Sequence, residues 1–158
     1  MCGITGFITA GDHFSRVEMK RFLATMSDAI IHRGPDDGGS WSDAEAGVWL
    51  GHRRLAIVDL SPAGYQPMQS ANGRYMIAFN GEIYNHLSLR QVLETAGQSP
   101  SWCGHSDTET LLAGFDVWGI QGTVERTVGM FAFAVWDSQK STLTLGRDRL
   151  GEKPLYYG

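Results

Sequence analysis

The second residue of the chain, Cys2, combines two groups that could act together in nucleophilic catalysis. Removal of Met1 would leave Cys2 at the N-terminus, where it carries both a thiol and a free α-amine. A free thiol is only a few per cent ionised at pH 7, whereas an α-amine is already partly unprotonated and can accept a proton. Gly3 has no side chain and would leave room for a substrate beside the sulfur. Since many chains begin with a small residue after Met, the position of Cys2 does not by itself distinguish a catalytic residue from one without a function.

A second candidate for chemistry is the pair Asn80-Gly81, which follows the apolar segment 75–79. Attack on a carboxamide carbon makes its oxygen negative, and that oxygen then needs hydrogen-bond donors. The Asn80 amide and a Gly81 N–H left free by a tight turn would supply two donors. Taken alone, the pair is better explained by an ordinary hairpin turn.

The remaining polar residues form no comparable pattern. Five histidines and two cysteines show no metal-ligand spacing, so we predict no metal site. His52 and the other histidines are interpreted as polar-network or surface residues. Residues 146–153 resemble a phosphate-binding loop, but the lysine comes one place late and Pro154 prevents a helix from following.

Composition indicates one domain of ordinary size with a hydrophobic core. The chain has 158 residues, 42% of them hydrophobic, and a net charge of −4. The scattered charges predict neither a nucleic-acid surface nor an anionic membrane surface, and no segment is apolar enough to cross a bilayer. Two cysteines without an N-terminal signal peptide favour a reducing, cytoplasmic setting.

Strands must position most of these residues. They are predicted at 3–9, from 48 to about 59, at 75–79, at 130–136 and at 142–145. The first is predicted to be buried on both faces. The strand at 75–79 is predicted to end in a turn at Asn80-Gly81, and residues 32–39 are predicted to be an irregular loop.

Three helices complete the predicted elements. The first covers 15–31, begins with a Ser15–Glu18 capping box and buries Met19, Phe22, Leu23, Met26 and Ile30. The second begins after Asn85 and ends at Gly97, and the third runs from a second capping box at Ser106 to Gly119. Without a regular strand–helix–strand repeat, these elements predict an α+β fold with helices covering antiparallel sheets.

Seven short motifs, in register, carry a resemblance to a known family. They are Met1-Cys2-Gly3-Ile4, His32 to Asp36, Arg54 to Asp59, Phe79 to Asn85, Ser106 to Glu109, Gly129 to Phe133, and Arg147-Asp148. Through them the chain resembles the N-terminal glutaminase domain of class II glutamine amidotransferases over nearly its whole length. Within that class it is most similar to the glutamine-hydrolysing asparagine synthetases.

The resemblance implies a four-layer αββα N-terminal-nucleophile sandwich of two antiparallel sheets. It implies that residues 1–158 form a glutaminase domain without cofactors, while a downstream ATP-dependent synthetase domain, which would use ATP and Mg²⁺, is absent from this chain. No Ser-Gly-Gly-x-Asp-Ser loop of such a domain occurs in the sequence. The implied partners are L-glutamine and the synthetase domain, and a homodimer stays open.

The resemblance also implies roles for individual residues. Cys2 would attack the side-chain amide of glutamine and form a γ-glutamyl thioester, with its own amine handling the proton. Asn80 and the Gly81 N–H would form the oxyanion hole. Arg54 would pair with the α-carboxylate of glutamine and Asp107 with its α-ammonium. The rest of the pocket would come from Glu82 and the backbone at Leu55 and Ile57.

Two other functions remain as alternatives. The chain could be the glutaminase part of a sugar-phosphate or phosphoribosyl amidotransferase, although the stretches 80–85 and 147–157 favour the asparagine synthetases. A module without catalysis could instead bind a neighbouring domain through an apolar patch.

Overall fold

Two antiparallel sheets form the centre of the computed structural model, which describes residues 2–10, 14–55 and 62–158. The first sheet contains Gly3–Ile8 (β1), Asp37–Asp43 (β2) and Val48–Arg54 (β3), in the order β1-β3-β2. The second contains Met68–Gln69 (β4), Tyr75–Ile83 (β5), Gly129–Asp137 (β6) and Thr142–Arg147 (β7), in the order β4-β5-β6-β7. Neighbouring strands in both sheets are antiparallel.

Helices cover the outer face of each sheet. They are Arg16–Ala29 (α1), His86–Thr95 (α2) and Asp107–Arg126 (α3), with short 3₁₀ turns at Ile31–Arg33 and Pro62–Gly64. Helix α1 packs on β1 and β3, while α3 packs on β5 and α2 packs beside α3. The predicted αββα layering is therefore confirmed. In the described ranges, none of the helices combines the length and the apolar character needed to cross a bilayer.

Three apolar layers separate the elements. Between α1 and the first sheet lie Met19, Leu23 and Trp49. Between the sheets lie Val48, Leu50, Met76, Ala134 and Trp136. Between the second sheet and the helices lies the largest cluster, which includes Ile77, Phe79, Leu111, Phe115, Phe131 and Phe133.

Strand alternation decides which side chains of β3 and β5 share the space between the sheets. Val48 and Leu50 on β3 pack there with Met76 on β5. Because successive side chains of a strand point to opposite faces, His52 and Arg54 on β3 and Asn80 on β5 point into the same layer. The strands thereby bring two predicted site residues, Arg54 and Asn80, to facing sides of one layer.

The predicted turn at Asn80-Gly81 is wrong, because β5 continues through both residues to Ile83. Asn80 pairs with Ala132 and Gly81 with Phe131 on β6. A Cβ at Gly81 would collide with the Met130 carbonyl oxygen and lie 2.6 Å from the Phe131 Cα. Glycine is required here by the close approach of β6, and not by a left-handed turn.

Two predictions about the first sheet are also wrong. β1 is not buried on both faces: within the described residues it is an edge strand, and Ile8 is 58% exposed. Residues 37–39, predicted as loop, begin strand β2. β2 is rich in glycine and polar residues, so its pairing with β3, rather than its own propensity, makes it a strand.

The helix predictions hold in outline. The Ser15–Glu18 capping box is present, but Phe22 and Met26 are exposed, so the buried stripe of α1 is narrower than predicted. Asn85 precedes α2 without capping it through its side chain, and Gly97, with φ of 67°, follows the helix as predicted. At Gly119, with φ of 72°, α3 is interrupted by a kink, after which it continues to Arg126.

The Asp148 carboxylate forms hydrogen bonds that connect the segment after β7 with β6, and it should contribute measurably to stability. Burial by itself raises the pKa of this carboxyl, but hydrogen bonds from four backbone N–H groups outweigh it and lower the pKa to about 2. The donors are Glu152, Lys153, Phe131 and Leu150. We expect Asp148→Asn to lower the free energy of unfolding by about 2–3 kcal/mol near neutral pH, since an amide nitrogen cannot accept these bonds.

The pH dependence gives this prediction a second measurement. Because the folded pKa is about 2 against an ordinary 3.8, the contribution of the carboxylate is full well above pH 3.8 and disappears as the pH falls through 2. Urea unfolding of the wild-type chain and of Asp148→Asn should therefore give a difference in the free energy of unfolding that disappears as the pH is lowered. Asp28→Asn, at an exposed carboxylate paired with Arg53, is the control and should cost about 0.5 kcal/mol. A difference in the free energy of unfolding that did not change with pH would contradict the stabilising role of the Asp148 carboxylate.

Candidate functional site

The sulfur of Cys2 lies against the backbone of Leu55. Cys2 precedes β1, whose first residue Gly3 is paired with Arg53, so Cys2 reaches the end of β3. The Leu55 N–H donates to Sγ at 3.4 Å, and the thiol faces the Leu55 carbonyl oxygen at 3.6 Å. Cys2 is a free, half-buried thiol. The sulfur is therefore held in place and remains partly accessible.

Arg54 lies next to this contact, at the end of β3. It is buried and is paired in register with Asp37 on β2. Tyr65 donates its O–H to Asp37 Oδ1 at 2.8 Å, and this bond is the main reason why the pKa of Asp37 is lowered. Arg54 thus lies in a polar environment with a carboxylate on the neighbouring strand.

β5 extends past β4, and side chains occupy most of its uncovered edge. The Phe79 N–H donates to Gln66 Oε1 at 2.7 Å, and the Ile83 N–H donates to Asp107 Oδ2 at 2.8 Å. Alternation places the Gly81 N–H on the same edge, because Phe131, its partner on β6, instead bonds Asp148 through both its N–H and its carbonyl. In the ranges described, no acceptor takes the Gly81 N–H.

The Asn80 side chain points from β5 toward the first sheet. It is 5% exposed, and its amide makes no hydrogen bond to any of the described residues. A buried amide without protein partners is costly unless water or a ligand bonds it. Asn80 and the adjacent Gly81 N–H together provide two unused donor groups on consecutive residues.

Asp107 is a buried carboxylate at the first turn of α3. Burial is the largest effect and raises its pKa, while the Ile83 N–H and the neighbouring His86 act in the opposite direction. The positive end of the helix dipole also favours an anion at this position. A cationic group brought to Asp107 would offset the cost of its burial.

The structure connects these predicted site residues to different degrees. Cys2 contacts Leu55 directly, and Arg54 is adjacent. Asp107 is bonded to β5 two residues after Gly81. Glu82 is exposed on β5. Ile57 lies outside the described residues, so its predicted place in the pocket stays a prediction.

Two residues at the site were not singled out from the sequence. His52, interpreted as a polar-network or surface residue, is 1% exposed, and its Nε2 lies 3.0 Å from the Phe79 carbonyl oxygen. Strand alternation with Val48 and Leu50 could have identified it as inward-facing. Gln66 lies in an irregular segment before β4, where no periodic signal exists. In addition, no group of three or more His, Cys, Asp and Glu suited to a metal ion is found in the described ranges.

Comparison with known sequences identifies the family of this chain. The family described as glutamine amidotransferase domain matches residues 1–158. Asparagine synthetase (glutamine-hydrolyzing) 3 of Bacillus subtilis is 41% identical over 99% of this chain and 25% of its own length. A protein of Gibberella zeae named amidase chry2 is 37% identical over 99% of this chain and 24% of its own length. The chain thus spans about a quarter of the length of these curated relatives.

A solved structure has a related fold. The glutamine phosphoribosylpyrophosphate amidotransferase from B. subtilis aligns with 65% of this chain and 23% of its own, at a TM-score of 0.51 and 25% identity. Because the family match covers all 158 residues, this chain belongs to the glutamine amidotransferase domain family.

Proposed function

We propose that this chain hydrolyses the side-chain amide of L-glutamine to glutamate and ammonia, with Cys2 as the nucleophile. The observation that carries the proposal is the contact of the Cys2 sulfur with the peptide of Leu55, which follows Arg54 at the end of β3. Strand alternation points Arg54 and Asn80 into the intersheet layer from opposite sheets. The family match, together with relatives named as glutamine-hydrolysing enzymes, supports glutamine as the substrate.

The chemistry begins with an amine that exists only after Met1 has been removed. This amine takes the thiol proton, and the Cys2 sulfur forms a bond to the amide carbon of glutamine. The Asn80 amide and the Gly81 N–H bind the resulting oxyanion. The amine then protonates the leaving nitrogen, ammonia departs and a γ-glutamyl thioester remains. Water, deprotonated by the amine, attacks the thioester, and glutamate and the thiol are released.

Two buried charges orient the substrate in this proposal. Arg54 binds the α-carboxylate, because its planar guanidinium can donate two parallel hydrogen bonds. Asp107 binds the α-ammonium. The positive charge of this group offsets the effect of burial, which raises the pKa of Asp107. Glu82 and the backbone at Leu55 and Ile57 complete the pocket. An amino acid is a zwitterion at its α-carbon, so one fixed cation and one fixed anion select it.

We further propose that residues 1–158 constitute a glutaminase domain that supplies ammonia to an ATP-dependent amide-forming domain of the asparagine synthetase type. The relatives with that name match 99% of this chain, whereas the phosphoribosyl enzyme aligns with 65%. Because catalysis needs a reduced thiol, we place the protein in a reducing compartment such as the cytoplasm. The homodimer stays a prediction.

A diazoketone analogue of glutamine tests the proposal directly. After removal of Met1, we expect one analogue to attach to Cys2 and none to Cys103, which is also a free thiol but exposed and outside the site. Excess L-glutamine should slow the labelling, because both compounds use Arg54 and Asp107. Peptide mass mapping gives the modified residue, and a coupled assay measures glutamate release in the same sample.

The D-enantiomer of the analogue is the control, since it presents the same electrophile with its α-groups misplaced. Equal labelling of Cys103, or no protection by glutamine, would show ordinary thiol reactivity and contradict the proposal. If neither labelling nor glutamate release occurred, the proposal would give way to the alternative of a module without catalysis.

A further inference from the structure

His52 forms a direct link between the two sheets at the site. It lies on β3, two residues before Arg54, and its side chain points into the intersheet layer with those of Val48 and Leu50. Its Nε2 is 3.0 Å from the carbonyl oxygen of Phe79 on β5, and the residue is almost completely buried. Phe79 immediately precedes Asn80. The bond therefore joins the strand that leads to Leu55 with the strand that carries the two unused donors.

The chemistry of this contact fixes the protonation of the imidazole. A carbonyl oxygen can only accept, so Nε2 must carry a hydrogen. Burial is the main cause that lowers the pKa of His52 to about 4, so the ring is neutral near pH 7 and its single proton is on Nε2. Nδ1 is buried and has no partner among the described residues. The ring thus donates one hydrogen bond, and that bond goes to β5.

With this bond, both backbone polar groups of Phe79 are held by side chains. The N–H of Phe79 is held by Gln66, its carbonyl by His52, and four residues later the N–H of Ile83 is held by Asp107. Asn80 and Gly81 lie between these anchors, and the Gly81 N–H lies on an edge that none of the described strands covers. Of the three anchoring side chains, only His52 comes from β3, which ends next to Cys2. It therefore links the strand that carries the donors to the strand that ends beside the sulfur.

We propose that His52 is a positioning residue that holds Asn80 and the Gly81 N–H at the distance from Cys2 that oxyanion binding requires. The proposal rests on the function proposed above. Oxyanion donors act only when they are placed to within a fraction of an ångström, because the charge they stabilise exists only in the transition state. Loss of the anchor should therefore lower kcat and leave ground-state binding of glutamine, through Arg54 and Asp107, almost unchanged.

Two amide variants that differ by one methylene test the inference. The amide nitrogen of His52→Gln can approach the place of Nε2 and donate to Phe79, whereas that of His52→Asn is too short to reach it. We expect His52→Asn to lower kcat about 10–100-fold, with KM and the inhibition constant of the product glutamate changed less than about threefold. His52→Gln should recover kcat to within about fivefold of the wild-type enzyme.

Met76→Ala is the matched control, because Met76 packs in the same intersheet layer but makes no bond to Phe79. It should lose stability while keeping kcat per folded molecule. Equal kcat in the Gln and Asn variants, or an Asn variant within threefold of wild type, would overturn the inference. A loss of kcat in Met76→Ala as large as that in His52→Asn would also overturn the inference. Wild-type protein that releases no glutamate would instead refute the proposed function, and the role of His52 with it.

Discussion

Replacing Cys2 with alanine should reduce kcat for glutamate release by about 10⁴-fold or more. The substitution removes the atom that forms the thioester in the proposed reaction, and no other described thiol lies at the site, since Cys103 is exposed elsewhere. Glutamine should still bind, because Arg54 and Asp107 are unchanged. Steady-state kinetics together with calorimetric titration of glutamine would separate the lost chemistry from the retained binding.

Two further variants separate the contribution of the Cys2 sulfur to kcat from that of the Cys2 α-amine. A chain that keeps one residue before Cys2 retains the thiol but has an amide in place of the α-amine, and it should lose about 10²–10⁴-fold in kcat through loss of the base. Cys103→Ala should be as active as the wild-type chain. If Cys2→Ala still released glutamate at a tenth of the normal rate, another nucleophile would have to be sought.

Replacing Asn80 with alanine should lower kcat by about 10²–10³-fold, the usual cost of removing one oxyanion-hole donor. KM should change little, because the amide oxygen of bound glutamine carries no full charge before attack. The structure gives Asn80 no hydrogen bond to a described residue, so the substitution breaks no visible contact and the fold should tolerate it. Measurement of kcat and KM, with the melting temperature as a check on folding, tests this.

Asn72→Ala is the matched control for Asn80, since Asn72 is an asparagine in the turn before β5. Its Oδ1 accepts hydrogen bonds from Ser70 and from the Arg74 N–H, so its loss should lower stability and leave kcat unchanged. A kcat for Asn80→Ala within threefold of wild type would remove Asn80 from the oxyanion hole. The Gly81 N–H would then need a different partner donor.

The sequence identified the elements whose signals are local. The capping box at Ser15–Glu18, the strands at 130–136 and 142–145 and the stop at Gly97 all follow from side-chain type and spacing over a few residues, and the structure confirms them. Cys2 could be nominated because its chemistry depends on being next to the chain start. The four-layer order came from the family resemblance, since the predicted elements indicated only an α+β fold with helices covering antiparallel sheets.

What the sequence missed depends on contacts between distant segments. Asn80-Gly81 has the composition of a turn, and only the approach of β6 shows that the strand continues. β2 is a strand because β3 pairs with it. His52 and Gln66 meet at Phe79 from two separate segments, which no spacing rule anticipates. Proximity of Cys2 to Leu55 likewise requires β1 and β3 to be paired.

The uncovered edge of β5 has a consequence for solubility. An exposed strand edge invites pairing with another molecule, which is a common origin of aggregation. Here Gln66, His52 and Asp107 already occupy the backbone groups of Phe79 and Ile83, so an incoming strand would find its hydrogen bonds blocked on both sides of Gly81. The side chains on either side of the Gly81 N–H therefore also hinder strand pairing at this edge, while the N–H itself is left without an acceptor among the described residues.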